Sequence, residues 1–163
     1  MKRKVLLIEP DYKNKYPPMG LMKLATYFRD RRHDDVRFFK GDLKQFAAQL
    51  LFEEYYAELI KLDAFRAEWQ YHIDDMISYI RHGKHSYLGS IRNFDNTSAA
   101  RLLRQYHLRC RVGDVPKFDI VCVTTLFTFY YDKTVETIGA ARSFCKRRWT
   151  CCPAIPPKSS SAG

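Results

Sequence analysis

Apolar residues fill every position from Val5 to Ile8, between the basic Lys2-Arg3-Lys4 and Glu9-Pro10. A short run with no alternation suits a parallel strand buried on both faces. After Pro17-Pro18, Leu21, Leu24, Ala25 and Phe28 recur at helical spacing, and the basic pair Arg31-Arg32 complements a helix C-terminus. Val36-Arg37-Phe38-Phe39 then reads as a second strand, closed by Gly41-Asp42. Together these predict a β-α-β unit.

The rhythm changes from Leu43 to about Arg111, where no strand pattern occurs. Leu43, Phe46, Leu50, Ala57 and Ile60 predict one amphipathic helix. Phe65, Trp69, Ile73, Met76, Ile77 and Ile80 predict a second. Gly83 and Gly89 mark a loop. Thr97 or Ser98 can cap a third helix that carries Leu102, Leu103 and Tyr106. The segment 43–111 therefore reads as a helical insertion within an α/β unit.

The α/β pattern resumes at Phe118-Asp119-Ile120-Val121-Cys122-Val123, a third buried strand that ends in Thr124-Thr125. The aromatics Phe127, Phe129, Tyr130 and Tyr131 follow, and Asp132 can cap a helix bearing Val135, Ile138, Ala141 and Phe144. The fold class expected is α/β. It is an incomplete Rossmann-like sheet of three parallel strands in the order 2-1-3, in a domain covering residues 1–145. Residues 146–163, "KRRWTCCPAIPPKSSSAG", carry no helical or strand period and are expected to form a disordered tail.

Composition narrows the classes. Of 163 residues, 46% are hydrophobic and 15% aromatic, which is a globular balance. No run approaches the roughly 20 apolar residues of a membrane span, and Val5–Ile8 is too short for a signal-peptide core. The expectation is a cytoplasmic protein with no membrane partner. The formal charge of +10 favours phosphate-bearing partners only weakly, because Lys146, Arg147, Arg148 and Lys158 lie in the tail. Five cysteines at irregular spacing, without a secretion signal, argue against a disulfide framework.

Two loops stand out chemically. In doubly wound sheets ligands bind outside the carboxyl ends of the strands, where strand order reverses. The first and third strands flank that point, and both leave through unusual loops. Pro10 and Pro17-Pro18 stiffen the first exit. Gly20 permits close backbone approach at a helix start, where unpaired N–H groups can face a polar or anionic ligand. The second exit is "TTLFTFYYDKT".

"VLLIEPDYKNKYPPMGLMKLATYFR", followed by "FDIVCVTTLFTFYYDKTVETI", resembles the N-terminal Rossmann-like domain of cobalamin-binding-type radical S-adenosylmethionine proteins. That domain opens with a strand, a "YPPLGL"-like loop and a helix, and precedes a catalytic barrel. The similarity covers residues 4–40 and 117–145. It implies Pro10, Tyr16, Pro17, Gly20, Thr124, Thr125 and Phe127 as cofactor- or ligand-contacting positions, acting through shape and backbone contact. It implies cobalamin as a candidate ligand, and S-adenosylmethionine and a [4Fe–4S] cluster for the parent family only. The chain lacks the CxxxCxxC triad that would hold the cluster. It also lacks the DxHxxG motif that supplies an axial histidine, since Asp11 is followed by Tyr12-Lys13. No catalytic residue or metal ligand is assigned, and neither cluster nor S-adenosylmethionine is expected on this chain. Family members continue with a strand and a "VGGLAA"-like loop. Reading "RWTCC" one base later forces glycine at Trp149 and is compatible with "GGLAA", which makes an out-of-frame tail a further expectation.

Other signals are weaker. His82-Gly83-Lys84-His85, with His72 upstream, falls short of the three or four convergent ligands of a zinc site. The basic stretch 101–111, "RLLRQYHLRCR", reads first as a solvated helix face. Glu53-Glu54 and Asp74-Asp75 point to different helix faces. The function expected is a cofactor- or substrate-side module of a radical S-adenosylmethionine enzyme, not competent alone. The alternatives are a basic nucleic-acid-binding protein and a ligand-free interaction domain that self-associates through an exposed sheet edge.

Overall fold

A computed structural model describes residues 2–13, 18–125 and 130–146. Strand β1 spans Lys4–Glu9, helix α1 Met19–Thr26, strand β2 Asp35–Lys40, and helices α2, α3 and α4 Leu43–Lys61, Ile73–His82 and Ser98–Val112. Strand β3 spans Ile120–Val123 and helix α5 Tyr131–Ala141. The three strands form one parallel sheet in the order β2-β1-β3. Val5 lies opposite Val36 on one side and Ile120 on the other, and Ile8 opposite Phe39 and Val123.

The alternation of side chains along β1 divides the core. Val5 and Leu7 point to one face, where they meet Leu21, Ala25, Phe28, Val36, Ile120 and Cys122. Leu6 and Ile8 point to the other face and join a much larger core built from α2, α3, α4 and Phe144. The crossover from β1 to β2 therefore covers one face with a short helix. The crossover from β2 to β3 carries the helical insertion across the other.

Several local readings need correction. Leu24 is 40% exposed; the inward side of this crossover is buried Leu21 with partly buried Ala25 and, in the π-type turn Tyr27–Arg31 that closes the helix, Phe28. The buried side of α2 ends on Tyr55 and Leu59, whereas Ala57 and Ile60 face solvent. The expected second helix begins as a 3-10 segment, Ala67–His72, and only then becomes α3. Thr97 caps α4 as expected, accepting from Ala100 N–H at 3.1 Å. Asp132 does not cap α5. Tyr130 occupies the cap position, Asp132 lies in the first turn, and Val135 is exposed.

The N-terminal end of the sheet is stapled by carboxylates. Asp34 is ion-paired to Arg3 at 2.6 Å and also accepts the Arg3 backbone N–H at 3.2 Å. Asp119 accepts the Lys4 N–H at 2.7 Å and pairs with Lys146 at 2.8 Å. β3 is an edge, and each of its four residues is half-buried rather than fully buried. Beyond α5 the backbone returns beside it. Phe118 N–H donates to Phe144 O at 2.7 Å, and Lys146 N–H donates to Phe118 O at 3.0 Å, a parallel bridge at the start of that edge. Among the described residues no helix is long and apolar enough to cross a membrane.

Candidate functional site

The strand order puts the carboxyl ends of β1 and β3 side by side, with their helices on opposite faces of the sheet. That is the reversal point where α/β sheets open a crevice. β1 delivers Glu9 and Pro10 there, both buried. Glu9 is 1% exposed, and its Oε1 receives Lys40 Nζ at 3.3 Å. The register pairs Glu9 with Lys40, so two neighbouring strands end in one carboxylate–ammonium contact.

The chain then folds back on itself. Tyr12 N–H donates to Pro10 O at 2.6 Å, a turn that swings the Tyr12 ring inward, where it is 2% exposed. The ring packs against Tyr130 with centroids 4.7 Å apart. The Tyr12 hydroxyl meets the hydroxyl of buried Thr134 in a short hydrogen bond. Thr134 Oγ1 donates its own proton to Tyr130 O at 2.9 Å, so in the contact with Tyr12 it accepts. Thr124 O lies 3.4 Å from the Tyr12 hydroxyl as a second, longer acceptor. One side chain thus ties the β1 exit to the end of β3 and the first turn of α5. Asp11 adds an exposed link to Lys133 at 3.5 Å.

Beside this lock lies a polar cleft of about 280 Å³, lined by Asp11, Gly41, Asp42, Lys44, Lys133 and Glu136 among others. Both charge signs line it. It can orient a polar ligand through several directional contacts, and among the described residues no cysteine or histidine lines it.

Of the positions expected from sequence, Pro10 is buried at the β1 exit and Thr124 is half-buried at the β3 exit. Thr124 N–H donates to Ile8 O at 3.0 Å, the last rung between the two strands. Thr125 is exposed beside it. Gly20 sits in the first turn of α1, exposed, and a β-carbon there would meet nothing within 4 Å. It therefore relieves no crowding among the described residues. Tyr16, Pro17 and Phe127 lie outside the described residues. Glu9, Tyr12, Lys40 and Thr134 are the edge residues that the sequence reading passed over. A charged residue closing an apolar strand and an aromatic two places after a proline were the available signals.

Other clusters resolve into structural roles. Ser90, His72 and Asp75 come together, but Ser90 Oγ at 3.4 Å and Asp75 Oδ2 at 3.2 Å both approach His72 Nδ1. A proton relay needs its two partners on opposite ring nitrogens. His82 stacks on Tyr87, and His85 packs edge-on to Tyr79. Arg109 in the basic helix is paired with Glu54 at 3.0 Å and Asp114 at 2.9 Å, and Glu53 with Arg37 at 2.7 Å. Cys110, Cys122 and Cys145 are free thiols, and burial pushes the Cys110 and Cys122 thiols up, which keeps them protonated and unreactive. Among the described residues no group of three or more His, Cys, Asp or Glu could hold a metal ion. No family model, curated protein or solved structure matches the chain.

Proposed function

We propose that this chain is a ligand-side module of the cobalamin-binding radical S-adenosylmethionine type, binding at the carboxyl edge of its sheet and relying on other protein parts for radical chemistry. The observation that supports the reading most is the meeting of the two strand exits through Tyr12, which builds one continuous edge from loops far apart in sequence. The residues of that edge that would touch a ligand are Pro10, Gly20, Thr124 and Thr125, with Asp11, Lys44 and Lys133 at the cleft. Tyr16, Pro17 and Phe127 belong to the same proposal on sequence grounds.

A corrinoid tests the fit. The cleft of about 280 Å³ is smaller than the macrocycle, and among the described residues no histidine lines it. A corrinoid would rest against the edge with its amide side chains toward the polar lining, without a histidine on cobalt. When bound it would supply organometallic chemistry that no side chain here can replace. The chain itself would orient the group and shield one side of it from water. The nucleic-acid alternative draws on fewer features, since Arg109 is neutralised by two carboxylates.

The experiment is equilibrium dialysis with hydroxocobalamin, followed by electron paramagnetic resonance of the cobalt(II) form. Weak binding that is lost in Thr124→Trp, with no nitrogen coupling from a protein histidine, is expected. Nitrogen coupling from a histidine, or binding indifferent to that substitution, would contradict the proposal.

A further inference from the structure

A second and larger concavity runs between α2 and α5, on the insertion side of the sheet. Its volume is about 830 Å³, within the range of small-molecule sites. It meets the carboxyl-edge cleft at Leu43, Lys44 and Ala140 but extends away from it, toward Gly113 and Val115 at the end of α4. The floor is apolar, with Leu43, Ala47 and Phe144 all buried.

The rim carries cations and imidazoles. Lys44, Arg81 and Arg111 line the groove beside His82 and His107, and among the described residues no aspartate or glutamate does. Arg81 is committed, donating to Gln45 at 2.8 Å and Asp42 at 2.5 Å. His107 Nδ1 donates to Ile80 O at 2.9 Å, which directs its other nitrogen toward Gly83. Among the described residues no carboxylate pairs with Lys44 or Arg111, so two flexible cations remain at the mouth.

We propose that this groove binds a single-chain amphiphile with an anionic head, its alkyl body on the Leu43–Ala47–Phe144 floor and its head between Lys44 and Arg111. Charge decides against other occupants. The chain's own segment 146–163 contains Lys146, Arg147, Arg148 and Lys158 and no acid, and a second copy brings a net charge of +10. Both would be repelled by a cationic rim. A purely apolar ligand would leave that rim without its counter-charge.

Gly139 gives a clean test. It lines the groove in α5, and among the described residues a β-carbon there would meet nothing within 4 Å. Gly139→Leu therefore fills the groove while favouring the helix, so loss of binding is not loss of fold. Dodecyl phosphate, kept below its micelle concentration, is the probe, with dodecanol and dodecyltrimethylammonium as neutral and cationic controls. Calorimetry should show one site per chain for dodecyl phosphate and at least ~10-fold weaker binding of both controls. Lys44→Glu and Arg111→Glu should each weaken it by roughly 10-fold, and Gly139→Leu should abolish it with an undiminished melting temperature. Equal affinity for the three head groups, or binding that survives Gly139→Leu, would overturn the proposal. So would displacement of the probe by a short oligonucleotide that still binds Gly139→Leu, which would assign the charge to a polynucleotide surface.

Discussion

Tyr12 offers the sharpest test of how the two strand exits are held together. Tyr12→Phe keeps the buried ring and its packing on Tyr130 but removes the proton donated to Thr134. Losing one buried hydrogen bond costs about 1–1.5 kcal/mol. Thr134→Val removes the acceptor and leaves the Tyr12 hydroxyl with only Thr124 O, 3.4 Å away. A buried donor without a good partner costs about 1–3 kcal/mol. The double substitution removes both polar groups together, so it should cost less than the sum of the singles by about 1 kcal/mol. The assay is urea unfolding followed by circular dichroism, with a double-mutant cycle and a check that the denaturant slope is unchanged. By thermal unfolding Tyr12→Phe should lower the midpoint by about 2–6 °C. Strict additivity of the two substitutions, or a Tyr12→Phe variant as stable as the parent, would refute the inference that this contact joins β1 to α5.

Three more outcomes follow from the same reasoning. Arg3, through its side-chain hydrogen bond first, holds Asp34 below the usual carboxylate range. That stabilisation is present above the unfolded-state value of about 3.9 and fades as pH falls through the lower folded value, so Asp34→Asn should flatten the acid limb of a stability–pH curve; parallel curves for the two proteins would contradict it. Gly83 closes α3 at φ +70, and a β-carbon there would lie 2.5 Å from His107 Nε2, so Gly83→Ala should cost more than about 1 kcal/mol in denaturant unfolding; a neutral effect would count against the assigned contact. The irregular cysteine spacing predicts no cluster after anaerobic reconstitution with iron and sulfide, and stoichiometric iron with matching visible absorption would reverse that view.

The sheet was legible because its strands are short runs whose neighbours break the pattern sharply. Val5–Ile8 and Val36–Phe39 are bounded by charge, glycine or proline, and their spacing leaves room for a crossover helix. The third strand was legible in place but not in burial. Its residues are as apolar as those of β1, yet they are half-buried because they lie at the sheet edge, which is a property of order and not of composition. Helix faces were read less well where the helix has more than one neighbour. α2 packs against the sheet, α3 and α4, so Ala47, Ala48, Leu51 and Phe52 are buried outside any single stripe. The break before α3 left no clear mark, since the 3-10 segment spaces Trp69 and Ile73 much as an α-helix would. At the edge itself the two loops could be predicted, because strand order and strand-end chemistry agree on them. The Tyr12–Thr134 contact could not, since it joins residues 122 positions apart through an inward turn that no local pattern encodes. The α2–α5 groove was equally hidden, because its cationic rim draws on three helices, α2, α3 and α4.

The central proposal is that a ligand sits where the exits of β1 and β3 meet. The most direct measurement is an amide chemical-shift titration of the isotope-labelled chain with hydroxocobalamin. Progressive shifts should concentrate at Asp11 and Tyr12, Gly41 to Lys44, Thr124 and Thr125, and Tyr131 to Thr134. Shifts confined to α3 and α4, or none up to the solubility limit of the ligand, would contradict it.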